Sequence, residues 1–228
     1  KFGADSSILY EQKPHVGTDR LISIVTAMRE EILRLGGEVR FSSRAVDFRV
    51  EEDRLKAVLV ERADGTRYEL KTEVLIAATG HSARDTFRVL SSRGFSMESK
   101  AFAVGFRVQH RQKDISLSQY GAREADFLPP APYKLAAKTS VGRGVYSFCM
   151  CPGGYVVNAS SEAGGTVVNG MSYADRGSEN ANAAIIVSVT PEDFQRYGTG
   201  ALAGLAFQEE LEKRAFLAGQ GKIPVQLY

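Results

Sequence analysis

Cysteine, an excess of one charge and long apolar runs are all scarce in this sequence, and each scarcity removes a class of protein. Two cysteines in 228 residues cannot make a disulfide framework, so the chain is expected to be cytoplasmic, in a reducing compartment. The 29 basic and 27 acidic residues are interspersed and nearly cancel, leaving a formal charge of +2. That balance gives no electrostatic footprint for nucleic acid or for an anionic membrane surface. No apolar stretch approaches the roughly 20 residues of a spanning helix, and the first residues do not read as a signal peptide. His15, His81 and His110 lie far apart and share no metal-ligand spacing. A nucleophile elbow, a Walker loop and an assignable carboxylate pair are missing as well.

What is present is an ordinary globular composition, 43% hydrophobic and 25% charged, in a chain long enough to bury a sizeable core. Lys1-Phe2-Gly3 and Ile223-Pro224-Val225-Gln226 read as cut ends, so the expectation is an internal piece of a longer protein. Residues 1–17 read as irregular. Thr18 is placed as an N-cap with Asp19 in the first turn, and apolar residues recur at helical spacing from Leu21 to Leu35 before Gly36-Gly37. Glu38 to Phe41 is expected as a strand. A three-stranded antiparallel meander follows, from Ala45 to Val50, Leu55 to Glu61 and Arg67 to Thr72, with Asp64-Gly65 as a hairpin turn.

The stretch Thr72–Thr86 organises this half. Val74 to Ala78 is wholly apolar and has the length of a buried strand. It ends at Thr79-Gly80, and a helix is expected from Ser82 with Asp85 in its first turn. Such a corner leaves N–H groups facing outward and suits an anionic or polar ligand; it is equally the form of a plain strand-to-helix turn. That helix is expected over about Ala83–Arg93, stopped by Gly94. Beyond it the texture changes: Phe102, Val104, Phe106 and Val108 alternate, residues 111–132 read as loop, and strands are expected at Tyr133–Ala137, Val145–Met150, Tyr155–Ser160 and Thr166–Met171. Ala183–Val189 fits a strand or a buried helix, and Leu205–Leu217 an amphipathic helix with Glu209, Glu210, Glu212 and Lys213 toward solvent. The fold class expected is α+β, with residues 1–94 as one unit and residues 95–228 as a mostly antiparallel second one.

Among chemical candidates, Gly198-Thr199-Gly200-Ala201-Leu202-Ala203 matches the letters of a dinucleotide loop, yet Pro191 to Tyr197 separate it from any strand. Cys149 and Cys151, spaced C-x-C, would share one side of a strand and read as packed thiols. Arg84-Asp85 and Arg107 suit either an acidic substrate or ordinary ion pairs. Asn180 and Asn182 serve a turn as readily as a ligand. His81, just past the corner, stands either against a ligand or against local backbone.

A resemblance adds to this reading. Lys13-Pro14-His15-Val16-Gly17-Thr18, Gly36-Gly37-Glu38-Val39-Arg40-Phe41 and Thr79-Gly80-His81-Ser82-Ala83-Arg84-Asp85-Thr86-Phe87 occur in order. They are followed by Val104-Gly105-Phe106-Arg107, Tyr146-Ser147-Phe148-Cys149-Met150-Cys151-Pro152-Gly153-Gly154, Asn169-Gly170-Met171-Ser172 and Asn180-Ala181-Asn182. Over nearly the whole chain these resemble the bacterial family of uncharacterised FAD-dependent dehydrogenases with a glutathione-reductase-type FAD domain. The resemblance implies a Rossmann-like arrangement for residues 1–94, with the strands at Glu38 and Val74–Ala78 in a parallel sheet and the meander as crossover. Residues 95–228 become an inserted substrate-side domain. It implies FAD contacts at Val46, facing the adenine, and at Ala78, Thr79, Gly80 and His81. NAD(P)H is implied as a possible electron donor, and an unknown small molecule as substrate. The family's G-x-G-x-x-G loop and C-terminal flavin contact are not in this sequence. The chain is therefore expected to bind FAD weakly or not at all, and to work with the remaining N- and C-terminal parts of a parent protein. From another class, a non-catalytic module binding a small molecule or a protein is the alternative expectation.

Overall fold

The computed structural model describes residues 2–12 and 14–227, and over them the chain builds three small antiparallel sheets and five α-helices. The irregular stretch expected over residues 1–17 falls partly on Lys1 and Lys13, which lie outside the described residues; it includes a single 3-10 turn at Ser6–Leu9. Helix α1 (Thr18–Arg34) follows the apolar periodicity, but its start is one residue earlier than expected. Gly17, at φ 87°, takes the N-cap position, and Thr18 is already helical. The Thr18 hydroxyl instead donates to the Ser172 carbonyl at 3.2 Å, and Asp19 accepts the Ala174 N–H at 2.9 Å. A Cβ on Gly17 would stand 2.4 Å from the Ala174 nitrogen, so only glycine allows this docking.

The meander forms as expected from β1 (Ser43–Glu51), β2 (Arg54–Arg62) and β3 (Arg67–Lys71), paired in that order. Glu52 and Asp53, both at positive φ, make the first turn, the geometry whose twist matches the flanking strands. In the second turn Asp64 accepts hydrogen bonds from the backbone and the hydroxyl of Thr66. Phe48, Val58 and Val60 form the buried core of this sheet, with Val89 and Leu90 of α2 (Arg84–Ser92) packed on it. Two ion pairs fix α2 along β1: Arg44 with Asp85 at 3.4 Å, and Arg93 with Asp47.

In the second half, β4 (Phe102–Arg111) runs into α3 (Gln112–Tyr120), and β5 (Ala136–Lys138) and β6 (Gly144–Cys151) follow. A two-stranded ribbon of β7 (Gly154–Asn158) and β8 (Val168–Ser172) precedes β9 (Asn180–Val189), α4 (Pro191–Phe194) and α5 (Ala203–Ala218). The four-stranded sheet is ordered β4-β9-β6-β5. Val189, Phe194, Ala203 and Phe207 are buried together, with Phe102 stacked on Phe194 at 5.4 Å between ring centres. The ribbon lies against β9, β6 and β4.

The structure departs from the sequence reading in further elements, among them the strand expected over Tyr133–Ala137, which forms only at Ala136–Lys138. Glu38–Phe41 and Val74–Ala78 are coil, so neither flanking strand of the meander forms, and a Rossmann-like sheet is not seen among the described residues. A parallel strand buried on both faces needs neighbours on both sides. Val74–Ala78 has no ladder partner here, and Val74 and Ile76 are 78% and 87% exposed. The loop expected over 111–132 contains α3. Asn180 and Asn182 lie in β9 rather than in a turn, which settles Ala183–Val189 as strand. Glu212 turns inward instead of toward solvent.

Candidate functional site

The corner proposed from sequence is open to solvent. Ala78, Thr79, Gly80 and His81 are all exposed, Gly80 takes φ 76°, and the His81 ring nitrogen Nε2 lies 3.4 Å from the Ser82 hydroxyl. Helix α2 begins two residues later than expected, after Ala83, with no side-chain cap. Val46 is half-buried at a bulge in β1, where the ladder steps from Ala45–Val60 to Asp47–Leu59 and leaves it unpaired. Because Arg44 and Asp47 on either side of Val46 bind the two ends of α2, Val46 and the corner stand on elements fixed to one another.

Behind the corner sits an ion pair. Arg84 is 4% exposed and meets Glu212 of α5 through two hydrogen bonds, at 3.1 and 2.6 Å, with Glu162 at 3.4 Å. Burial works against the Arg84 charge, but Glu212, Glu162 and Glu209 outweigh it and hold the guanidinium above its ordinary value. Arg88 pairs with Glu209 one turn further on. Of the two readings open for Arg84, the ion pair is the one found.

Arg107 is different. Its Nη1 donates to Asn182 Oδ1 at 2.5 Å and to the Cys149 carbonyl at 3.4 Å, and its Nη2 donates to Asn169 Oδ1 at 3.0 Å. Opposed residues of an antiparallel pair share a face. Cys151 opposes Asn182 across β6 and β9, and Asn182 opposes Gln109, two residues along β4 from Arg107. These side chains therefore lie on the face that the β7–β8 ribbon covers. Gly170 of the ribbon lies directly on them, and a Cβ there would fall 2.2 Å from Asn182 Oδ1 and 2.3 Å from Arg107 Nη1.

Cys149 and Cys151 are both free thiols. The shared face expected for them fails, because Cys149 sits at the bulge between Phe148 and Cys151 with φ 44° and is exposed. Burial pushes the Cys151 thiol up, while Arg107 and Arg176 pull partly the other way. His15 binds the Tyr173 carbonyl at 2.8 Å, and His110 packs on Tyr133. No group of three or more metal-ligating side chains exists among the described residues, and no helix there is long and apolar enough to cross a membrane. The sequence reading missed Asn169, Arg176 and Glu212. Only the strand register brings Asn169, and the inward turn of α5 brings Glu212, to its partner.

Residues 101–228 match the family described as "FAD-dependent protein, C-terminal domain-like". An uncharacterised protein of Clostridium beijerinckii is 46% identical over 231 aligned residues, covering all of this chain and 42% of its own length. The tetracenomycin B2 monooxygenase-dioxygenase of Streptomyces olivaceus is 34% identical over 94 residues, 40% of this chain and 16% of that enzyme. The chain thus spans about two fifths of the first of these relatives and a smaller share of the second. A triple mutant of the flavin-dependent brominase Bmp2 aligns over 87% of this chain and 40% of its own, at 14% identity and a TM-score of 0.37.

Proposed function

The chain belongs to this family of FAD-dependent proteins, and from that premise we propose that it is the substrate-side portion of an FAD-dependent oxidoreductase, of the dehydrogenase type. In the longer protein FAD would exchange hydride with a small substrate, and NAD(P)H is the proposed electron donor. The observation that supports this best is surface left uncovered beside the corner. Val74 and Ile76 there are largely exposed, and elsewhere Leu21, Val25, Met28 and Ile32 of α1 are about half exposed, although the spacing of both runs is that of buried elements. We assign these faces to contact with the rest of the longer protein, where residues 74–78 would join a Rossmann-like sheet and residues 95–228 form the inserted domain. Val46, Ala78, Thr79, Gly80 and His81 are the proposed FAD contacts.

The described residues do not by themselves fit FAD. Its pyrophosphate calls for a strand, a glycine turn and a helix N-terminus in direct succession. Gly198-Thr199-Gly200 instead follows a 3-10 turn at Gln195–Tyr197, and the Thr79-Gly80 corner leaves from coil. This chain is therefore expected to retain no stoichiometric FAD through gel filtration.

The test is the visible spectrum of the purified Clostridium beijerinckii relative beside that of this chain. Flavin bands in the relative, bleached anaerobically by NADH or NADPH, and none in this chain are the expected result. A colourless relative that takes up no added FAD would overturn the oxidoreductase reading and leave a ligand-binding module.

A further inference from the structure

Most sheet edges in this chain are guarded. Strand β5 offers only three residues, and β3, β7 and β8 five each. The longer edge strand β1 is interrupted by two register shifts and carries Arg44, Asp47 and Arg49. Short length, bulges and charge are the devices that keep an open ladder from recruiting another strand. Strand β4, an edge of the four-stranded sheet, is different. It is ten residues long, pairs with β9 along its whole length without a register shift, and contains no lysine and no proline. Arg107, its mid-strand charge, is turned back onto Asn182 and Asn169 instead of standing along the rim.

The open groups can be named from the register. In an antiparallel pair, successive residues send their N–H and C=O groups to opposite sides. The Gln112 N–H donates to the Glu179 carbonyl at 2.8 Å, one step beyond the β4–β9 ladder, so the even-numbered residues of β4 bond to β9. The far side of β9 agrees. The Ser147 N–H turns away from β9 to the Leu135 carbonyl at 2.9 Å, which leaves Ile185, opposite Ser147, to bond Phe106. The N–H and C=O groups of Ala103, Gly105, Arg107 and Gln109 therefore point away from the sheet, and they have no backbone partner among the described residues. Phe106 adds a second sign. It is 66% exposed, while Val104 and Val108 on the same face are half-buried. A strand laid along β4 would stand about 4.8 Å away and bring its own side chains over that ring.

We propose that the outer edge of β4 docks an extended segment from the remainder of the longer protein, adding a strand to the four-stranded sheet. Main-chain hydrogen bonds to the four outward residues would hold it, and cover for Phe106 would set its register. The occupant follows from chain length. The Clostridium beijerinckii relative matches this whole chain with 42% of its own length, so more than half of that protein lies outside the match. A strand tethered in the same molecule is present at high effective concentration, whereas a second copy must be recruited from solution. Pairing at this edge is independent of flavin chemistry, so a colourless relative leaves it standing.

Hydrogen exchange at single-amide resolution, read by electron-transfer fragmentation in the mass spectrometer, tests this on the purified relative and on this chain. Val104, Phe106 and Val108 are the internal standard for a formed β4–β9 ladder. In this chain the amides of Ala103, Gly105, Arg107 and Gln109 should exchange at least about a hundredfold faster than that standard. In the relative the matching amides should be as slow as the standard. Free exchange of the outward set in the relative overturns the proposal. Protection of that set in this chain alone overturns it too, as does protection in either protein that fades on dilution with a dimer seen by light scattering, which would assign the edge to a second copy. Gln109→Pro, made at the matching position of the relative, removes an outward N–H and puts a ring where the added strand would lie. It should speed exchange at the other three outward amides at least about tenfold while the standard stays slow. Outward amides that remain slow in this variant overturn the proposal equally.

Discussion

Arg84 and Arg107 show how far identical chemistry diverges with surroundings. In the sequence both suit an acidic substrate or an ion pair. In the fold Arg84 finds Glu212, and Arg107 finds three neutral acceptors. His110 carries the pH dependence at this scale. Burial holds its imidazole below the ordinary value of 6.5, against a smaller opposing pull from Asp114. A depressed histidine is neutral in the fold, and the unfolded chain takes up the proton first. The associated stability is complete above pH 6.5 and is lost as the pH falls through 6.5 toward the lower folded value. His110→Asn should flatten that part of the stability profile, as urea melts at several pH values would show.

At the scale of elements, the first and second halves of the chain meet where the start of α1 docks on residues 172–174 and where α2 is ion-paired to α5. Arg84 to Glu212 and Arg88 to Glu209 join the two helices, and the Thr166 N–H donates to the Glu212 carbonyl at 3.0 Å. Breaking a buried pair from one side leaves the other charge without compensation. Glu212→Ala is therefore expected to cost about 3 kcal/mol in chemical denaturation, since Glu162 remains near Arg84. Glu209→Ala, whose pair is far more exposed, should cost less than about 1 kcal/mol. Equal losses from the two would contradict the burial argument.

For the whole molecule, the decisive feature is apolar surface that the described residues leave open. Ile76→Lys at an 87% exposed position should leave the melting temperature of this chain almost unchanged. The same change at the matching position of the Clostridium beijerinckii relative should lower its stability by about 2 kcal/mol or more, if residues 74–78 are a buried strand there. Equal indifference in both proteins would remove the assignment of this run to an interface with the rest of the longer chain.

The sequence by itself determined what local forces decide. Helices α1 and α5 follow from 3.6-residue periodicity, and the turn at Asp64-Gly65 from its own side-chain hydrogen bonds. Strand β4 follows from alternation, and β6 from a short run set between glycine-rich turns. The balanced charge and the shortness of every apolar run could be read directly as well. Tertiary structure alone decided whatever depends on a distant partner. An apolar run becomes a strand only when neighbours supply its hydrogen bonds, which is why Val74–Ala78 stays coil among the described residues. Asn169, Asn182 and Arg107 lie up to 75 residues apart, and only the β4–β9 register and the close approach at Gly170 bring them together. Their residue types allow many roles. Whether a buried arginine meets a carboxylate or an amide is set by what the fold places against it.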